Sequence, residues 1–182
     1  GDTDPADSIQ PAAGQWGGLV MRDDSDLEQE GIFLNWINHA DIQHGGGRVF
    51  VGSVERSFAP VHMLTARPTV SFNTLTQNAG AAISANPNSF EETRDRVGPD
   101  VHGNTVTDNS LNGLFIRIET QTDRGLPIDI LEVSARLDDT DIVHVLRDEI
   151  VVLNHHTFSG LSLVSGSSES LVVKLAGNAN DP

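Results

Sequence analysis

Apolar residues in this chain arrive in short, β-branched bursts separated by stretches of Asn, Thr, Ser and Gly. The bursts are Gly18-Leu19-Val20-Met21, Val49-Phe50-Val51, Leu114-Phe115-Ile116-Arg117-Ile118, Ile128-Asp129-Ile130-Leu131-Glu132-Val133, Ile142-Val143-His144-Val145-Leu146, Ile150-Val151-Val152-Leu153 and Leu171-Val172-Val173-Lys174-Leu175. Several alternate apolar with polar residues, the period of a strand with one buried face. No window of 12 or more residues carries the 3.6-residue period of an amphipathic helix. The nearest stretch, 89–97, is polar, follows Asn86-Pro87 and stops at Gly98-Pro99, so at most one or two helical turns are expected there.

The chain also repeats itself. Residues 68–79 (PTVSFNTLTQNA) align with 99–110 (PDVHGNTVTDNS) at an offset of 31, and seven of the twelve pairs match or nearly match. A weaker copy, residues 38–45, places Ile42 opposite Leu75 at an offset of 33. Val70, Leu75, Val101 and Val106 are therefore predicted to point inward. Asn73, Asn78, Asn104 and Asn109 are predicted to sit where the backbone bends, because asparagine tolerates left-handed angles and bonds its own chain. A short strand, an asparagine corner and another short strand make one turn of a solenoid. The pattern predicts an all-β chain wound as a parallel β-helix with short loop insertions. A β-sandwich or jelly roll is the alternative, but it would show hairpin turns every 8–12 residues.

Boundaries follow from composition. Residues 1–15 are small, acidic and proline-containing and read as an arm or linker; 16–176 form the expected domain; 177–182 read as a tail. The 182 residues suffice for one core. The chain opens at Gly1 without a basic leader, and no apolar run approaches 18 residues. It is thus expected to be a mature product or an excised piece that does not insert in a membrane. The net charge is −15, with Lys174 the sole lysine, which argues against a nucleic-acid partner. There is no cysteine, hence no disulfide, thiolate metal site or cysteine nucleophile. An acidic chain rich in Asn, Thr, Ser and Gly fits an extracellular or cell-surface protein, although lack of cysteine suits either redox compartment.

Trp16-Gly17-Gly18-Leu19, Ala40-Asp41-Ile42-Gln43-His44-Gly45-Gly46, the two Asn-Thr-aliphatic-Thr copies, residues 109–117 and residues 138–146 together resemble the pectin-lyase-like right-handed parallel β-helix segments of very large secreted or surface proteins of aquatic bacteria. The resemblance covers about residues 14–176. It implies a right-handed winding and, for most such segments, no enzymatic role. The superfamily also holds polysaccharide lyases and hydrolases, in which arginine can serve as base, so Arg117 or Arg136 near Asp138 and Asp139 would be the places to look. Fold likeness alone does not decide activity.

Two acidic clusters invite calcium, which takes six to eight hard oxygens. They are Asp23, Asp24 and Asp26, and Asp138, Asp139 and Asp141. Neither completes an EF-hand loop, and the competing reading is of carboxylates capping backbone N–H groups at a corner. Of the seven histidines, His155 and His156 among them, only His39 and His44 sit five apart with a carboxylate nearby; there is no His-Glu-x-x-His, the repeat would stack His44 only loosely near His102, and outward-facing strand residues are the competing reading. No Gly-x-Ser-x-Gly elbow marks a serine nucleophile, and Gly45-Gly46-Gly47 reads as a tight corner rather than a phosphate loop. No catalytic or cofactor-binding residue is assigned. Trp16 and Trp36 are candidate sugar platforms, with Trp16 better read as a cap on the core.

A solenoid leaves strand edges and an apolar cross-section at its ends. The apolar strand 171–175 runs into a polar tail without a capping helix. The expected role is a structural module of an extracellular or surface assembly, joined end to end with copies of itself or adjacent modules of the same large protein. A polysaccharide-binding or polysaccharide-cleaving β-helix is the alternative.

Overall fold

A computed structural model describes residues 10–51, 54–117, 130–147, 150–152 and 159–177. Within them the strands are β1 (Leu19–Arg22), β2 (Trp36–Asn38), β3 (Asp41–Gln43), β4 (Arg48–Val51), β5 (Val54–Ser57), β6 (Val61–Leu64), β7 (Thr69–Ser71), β8 (Thr74–Thr76), β9 (Ala81–Ala85), β10 (Asp100–His102), β11 (Thr105–Thr107), β12 (Leu111–Ile116), β13 (Ile130–Leu131), β14 (Ser134–Leu137), β15 (His144–Leu146), β16 (Val151–Val152), β17 (Gly160–Leu163) and β18 (Val173–Leu175). No described helix is long and apolar enough to cross a membrane.

The chain is all-β and its sheets are parallel. A long sheet runs β1-β6-β9-β12-β15-β18, a second β2-β7-β10 and a third β3-β8-β11; β13 pairs with β16 and β14 with β17. The polypeptide visits the three main sheets in the same order three times, which is compatible with a β-helix. Among the described strands only the β4–β5 hairpin is antiparallel. The parallel pairing of all the other described strands disagrees with the sandwich alternative, whose layers are built from antiparallel neighbours. The second and third sheets stop after three strands because β13 and β14 pair elsewhere, while the long sheet continues.

Register follows the repeat. Trp36, Thr69 and Asp100 align across the second sheet, as do Ile37, Val70 and Val101. Ile42, Leu75 and Val106 align across the third. Val61, Met63, Val70, Leu75, Ile83, Val101 and Leu114 are wholly buried in one continuous core. Each such side chain contributes about 1.5–3 kcal/mol by leaving water. Trp16 packs against this core and its indole N–H donates to the Gln43 carbonyl at 2.7 Å, in keeping with a cap.

The corners correct one expectation. The left-handed residues are those preceding the asparagines: Phe72 (φ 55°) and Gly103 (φ 65°) at one corner, Gln77 (φ 56°) and Asp108 (φ 55°) at the other. Gly103 is needed there for a second reason, since a Cβ would lie 2.6 Å from the Phe72 ring. The asparagines act through their side chains. Asn73 Oδ1 accepts the Ala40 N–H at 2.9 Å, its amide donates to the Ile37 carbonyl at 2.9 Å, and Asn104 Oδ1 accepts from Asn73 in turn. At the other corner Asn78 links Gly45, Ile42 and Asn109 in the same way, and Asn109 meets Asn112. Two amide ladders thus satisfy the backbone groups that bending leaves without sheet partners. The Gly45–Gly47 segment is a tight corner: a Cβ on Gly46 would fall 2.0 Å from the Ala79 carbonyl oxygen.

The expected helical turn lies slightly upstream, as a single turn over Pro87–Phe90. Asn86 caps it by accepting the Asn88 N–H at 2.9 Å, and proline suits its first turn. From Glu91 the chain is extended again, bridging to Ala135.

Candidate functional site

The two acidic clusters do different work. Asp26 is buried and accepts the Arg67 N–H at 2.7 Å and the Asn35 amide at 3.0 Å. Asp24 lies on the surface 3.5 Å from Arg22; the Asp23 side chain is outside the described set. Arg67 is wholly buried beside this loop. It donates to the Glu91 carbonyl and Thr93, lies over the Phe33 ring at 4.6 Å, and approaches Glu28 to 3.1 Å as an ion pair without hydrogen-bond geometry. Arg67 and Asp26 therefore clamp the 23–35 loop to the 91–96 loop.

In the second cluster, Asp139 accepts the Val101 N–H at 3.2 Å and Asp141 accepts the Gly103 N–H. These carboxylates stand where a fourth strand of the second sheet would present its carbonyls, and they close that edge. Asp138 pairs with Arg136 at 3.1 Å, and Arg136 also reaches Glu92 at 3.2 Å. Arg117 is elsewhere: it donates to the Ser57 carbonyl and lies 5.8 Å from the Phe58 ring. As arranged, these carboxylates are engaged by protein donors, and no three His, Asp or Glu side chains gather among the described residues.

Burial first, and then the charges of Asp138, Asp100 and Asp141, push the Asp139 carboxyl up to about 8 against the pull of the Val101 N–H. A carboxyl whose folded pKa is raised stabilises the fold fully below its unfolded value near 4, and that share is lost as pH rises through about 8. Asp139→Asn keeps an acceptor for Val101 and removes the charge. Melting temperatures from pH 5 to 9 should fall in the wild type and fall less in the variant; parallel curves would refute this.

Two further arrangements were not legible from spacing. On the outward side of the long sheet, His62 Nδ1 lies 2.8 Å from Ser84 Oγ, with Phe58 stacked on the imidazole at 4.5 Å. Burial, helped by Arg117, lowers the His62 pKa to about 4, so the ring is neutral near pH 7. Both side chains are fully buried, which keeps this Ser–His pair from solvent. At one corner His39, Phe72 and His102 form an aromatic row with centroid spacings of 5.4 and 5.1 Å, and His102 Nδ1 lies 2.6 Å from Asp100. Phe72 is half exposed and Trp36, on the same sheet, is 65 % exposed. His44 adjoins the Gly45–Asn78 corner and does not join this row, against the loose stacking with His102 that the repeat suggests. His155 and His156 lie outside the described residues.

Most of the large hydrophobic side chains exposed among the described residues lie at the two ends. β1 and β2 are outermost in their sheets at one end, with Leu19 50 % exposed beside Val20, Leu34 and Trp36. β18 and β17 are outermost at the other, with Leu175 79 % exposed beside Val172, Leu161 and Leu163. Just beyond the first end's strands lie exposed Asp24, Glu28 and Glu30, whereas the second end exposes Arg147 and Lys174 together with Glu169, which accepts the Thr140 hydroxyl.

No protein-family model, curated protein or solved structure matches the chain.

Proposed function

We propose that this chain is a right-handed parallel β-helix module with a structural role, similar to pectin-lyase-like segments of large secreted or surface proteins. It associates end to end with copies of itself or with neighbouring modules. The observation that carries this reading is that β1 and β18, at opposite ends of one long parallel sheet, have no further strand beside them among the described residues and expose apolar side chains. Soluble proteins guard such edges with charge, proline or a covering segment, and an unguarded one is a template for another strand. The −15 charge keeps the flanks of neighbouring rods apart, and divalent cations such as calcium would screen or bridge them.

Leu175→Asp tests the proposal. Leu175 is exposed, so the variant should melt within about 2 °C of the wild type. Its self-association should weaken at least about tenfold, because a charge at a desolvated edge costs more than 1.4 kcal/mol. Sedimentation velocity over a concentration series reads this directly. A wild type that stays monomeric throughout, or a variant that associates equally well, defeats the reading.

A second reading, a polysaccharide-binding or polysaccharide-cleaving β-helix, draws on the exposed Trp36, the His39–Phe72–His102 row and the Asp100–His102 pair. Incubation with pectate and alginate, following the absorbance of unsaturated products, distinguishes it.

A further inference from the structure

The long sheet contains two residue rows that cross all six strands. One runs Leu19, Val61, Ile83, Leu114, His144, Val173 and faces the core. The other runs Val20, His62, Ser84, Phe115, Val145, Lys174 and faces outward. Both rows end abruptly at β1 and at β18. A neighbour that prolongs the sheet must keep inward residues over inward residues, because a slip of one position exchanges the two faces.

We infer that the partner at these edges is a second copy of this chain, docked head to tail with its β1 laid parallel to β18 in the register Leu19 to Val173, Val20 to Lys174 and Met21 to Leu175. This rests on the end-to-end reading above and names its partner and register. Strand direction permits it, since every strand of the long sheet points the same way and a simple translation prolongs it. Charge selects it. Tail-to-tail contact would face Arg147 and Lys174 with their own images, and head-to-head contact would do the same with Asp24, Glu28 and Glu30. Head-to-tail contact sets the two cations against that acidic loop, and both groups lie at or just past strands of the same sheet. Arg22 and Asp24 offset each other and Glu28 is paired with buried Arg67, so Glu30 carries the excess negative charge of that loop. The apolar content agrees: Val172 and Leu175 at one edge meet Leu19 and Val20 at the other, all exposed in the single chain. Such a contact uses two different patches and does not close, so it propagates as a filament.

The chain has no cysteine, so introduced thiols are the only ones present. Val20→Cys and Lys174→Cys chains, one carrying a mass tag, are mixed, oxidised and run on non-reducing gels. Paired positions on adjacent parallel strands lie within disulfide reach, so the mixed dimer should form at least about fivefold faster than from Leu19→Cys with Lys174→Cys, whose side chains face opposite sides. Equal rates overturn the register. Lys174→Cys alone cross-linking as fast as the mixture overturns the head-to-tail polarity. Both results leave end-to-end association standing if wild-type sedimentation shows it. A wild type that never associates overturns that reading and this inference together.

Discussion

Asn78→Ala lowers the stability of this protein by about 3–5 kcal/mol, the sum of several lost or orphaned hydrogen bonds. The Asn78 side chain is buried and makes three bonds: it accepts the Gly45 N–H at 2.8 Å and donates to the Ile42 carbonyl at 3.1 Å and to Asn109 at 2.8 Å. Alanine removes all three and leaves a buried N–H and a carbonyl without partners. Against a typical total of about 5–15 kcal/mol the loss is severe, and for a chain of this size it corresponds to a melting temperature lower by roughly 10 °C. Asn112→Ala at the exposed end of the same ladder should cost about 1 kcal/mol or less, because water replaces its partners. Thermal and urea melts of both variants decide the matter. Equal losses, or an Asn78→Ala cost under about 1 kcal/mol, would mean that the ladder is ornamental.

The second large effect concerns His144. It sits in the inward row between Leu114 and Val173 with no exposed surface, 6.1 Å from the Phe90 ring. Neither ring nitrogen has a hydrogen-bond partner among the described residues. Burial lowers its pKa to about 4, partly offset by the Ile142 backbone, which approaches without bonding geometry, and by the charge of Asp141. A depressed folded pKa stabilises the fold above the unfolded value near 6.5, and that share is lost as pH falls through about 4. The loss is about 3 kcal/mol for a shift of this size, and His62, buried and shifted alike, adds a comparable one. Asp139 works in the opposite direction, so stability is expected to be greatest between the histidine and Asp139 transitions. His144→Leu fits the aliphatic row. It should be as stable as the wild type or more so at pH 7, and markedly more stable near pH 4.5. Urea midpoints at pH 7, 5.5 and 4.5 test this, and a gap between the two proteins that does not widen with acid would refute it.

What could be read beforehand depended on where the burial came from. The copies at 68–79 and 99–110 placed β7, β8, β10 and β11 in their actual register, because each repeat presents one aliphatic per short strand and stacks on its equivalent. The weak copy aligned Ile42 with Leu75 correctly. β9 escaped notice because Ala81-Ala82-Ile83-Ser84-Ala85 has little strand propensity and is buried on both faces, leaving no alternation to see. β6 is hidden similarly, with His62 covered by Phe58. The Asp139 and Asp141 caps needed knowledge of where the second sheet stops, and Arg67 reads as an ordinary surface cation until the 23–35 and 91–96 loops are folded over it. The asparagines were placed at the bends, but their role there is to bond across to the neighbouring repeat, which spacing alone does not reveal.

The β4–β5 hairpin leaves the stack after β3 and returns before β6, and among the described strands its two legs pair with each other alone. It is a side branch on an otherwise one-way road. Extra sequence spliced between its legs would lengthen the branch without displacing any rung of the long sheet. Foreign peptides could therefore be carried there as cargo at little cost to the carrier, which makes the hairpin the natural point for decorating the molecule.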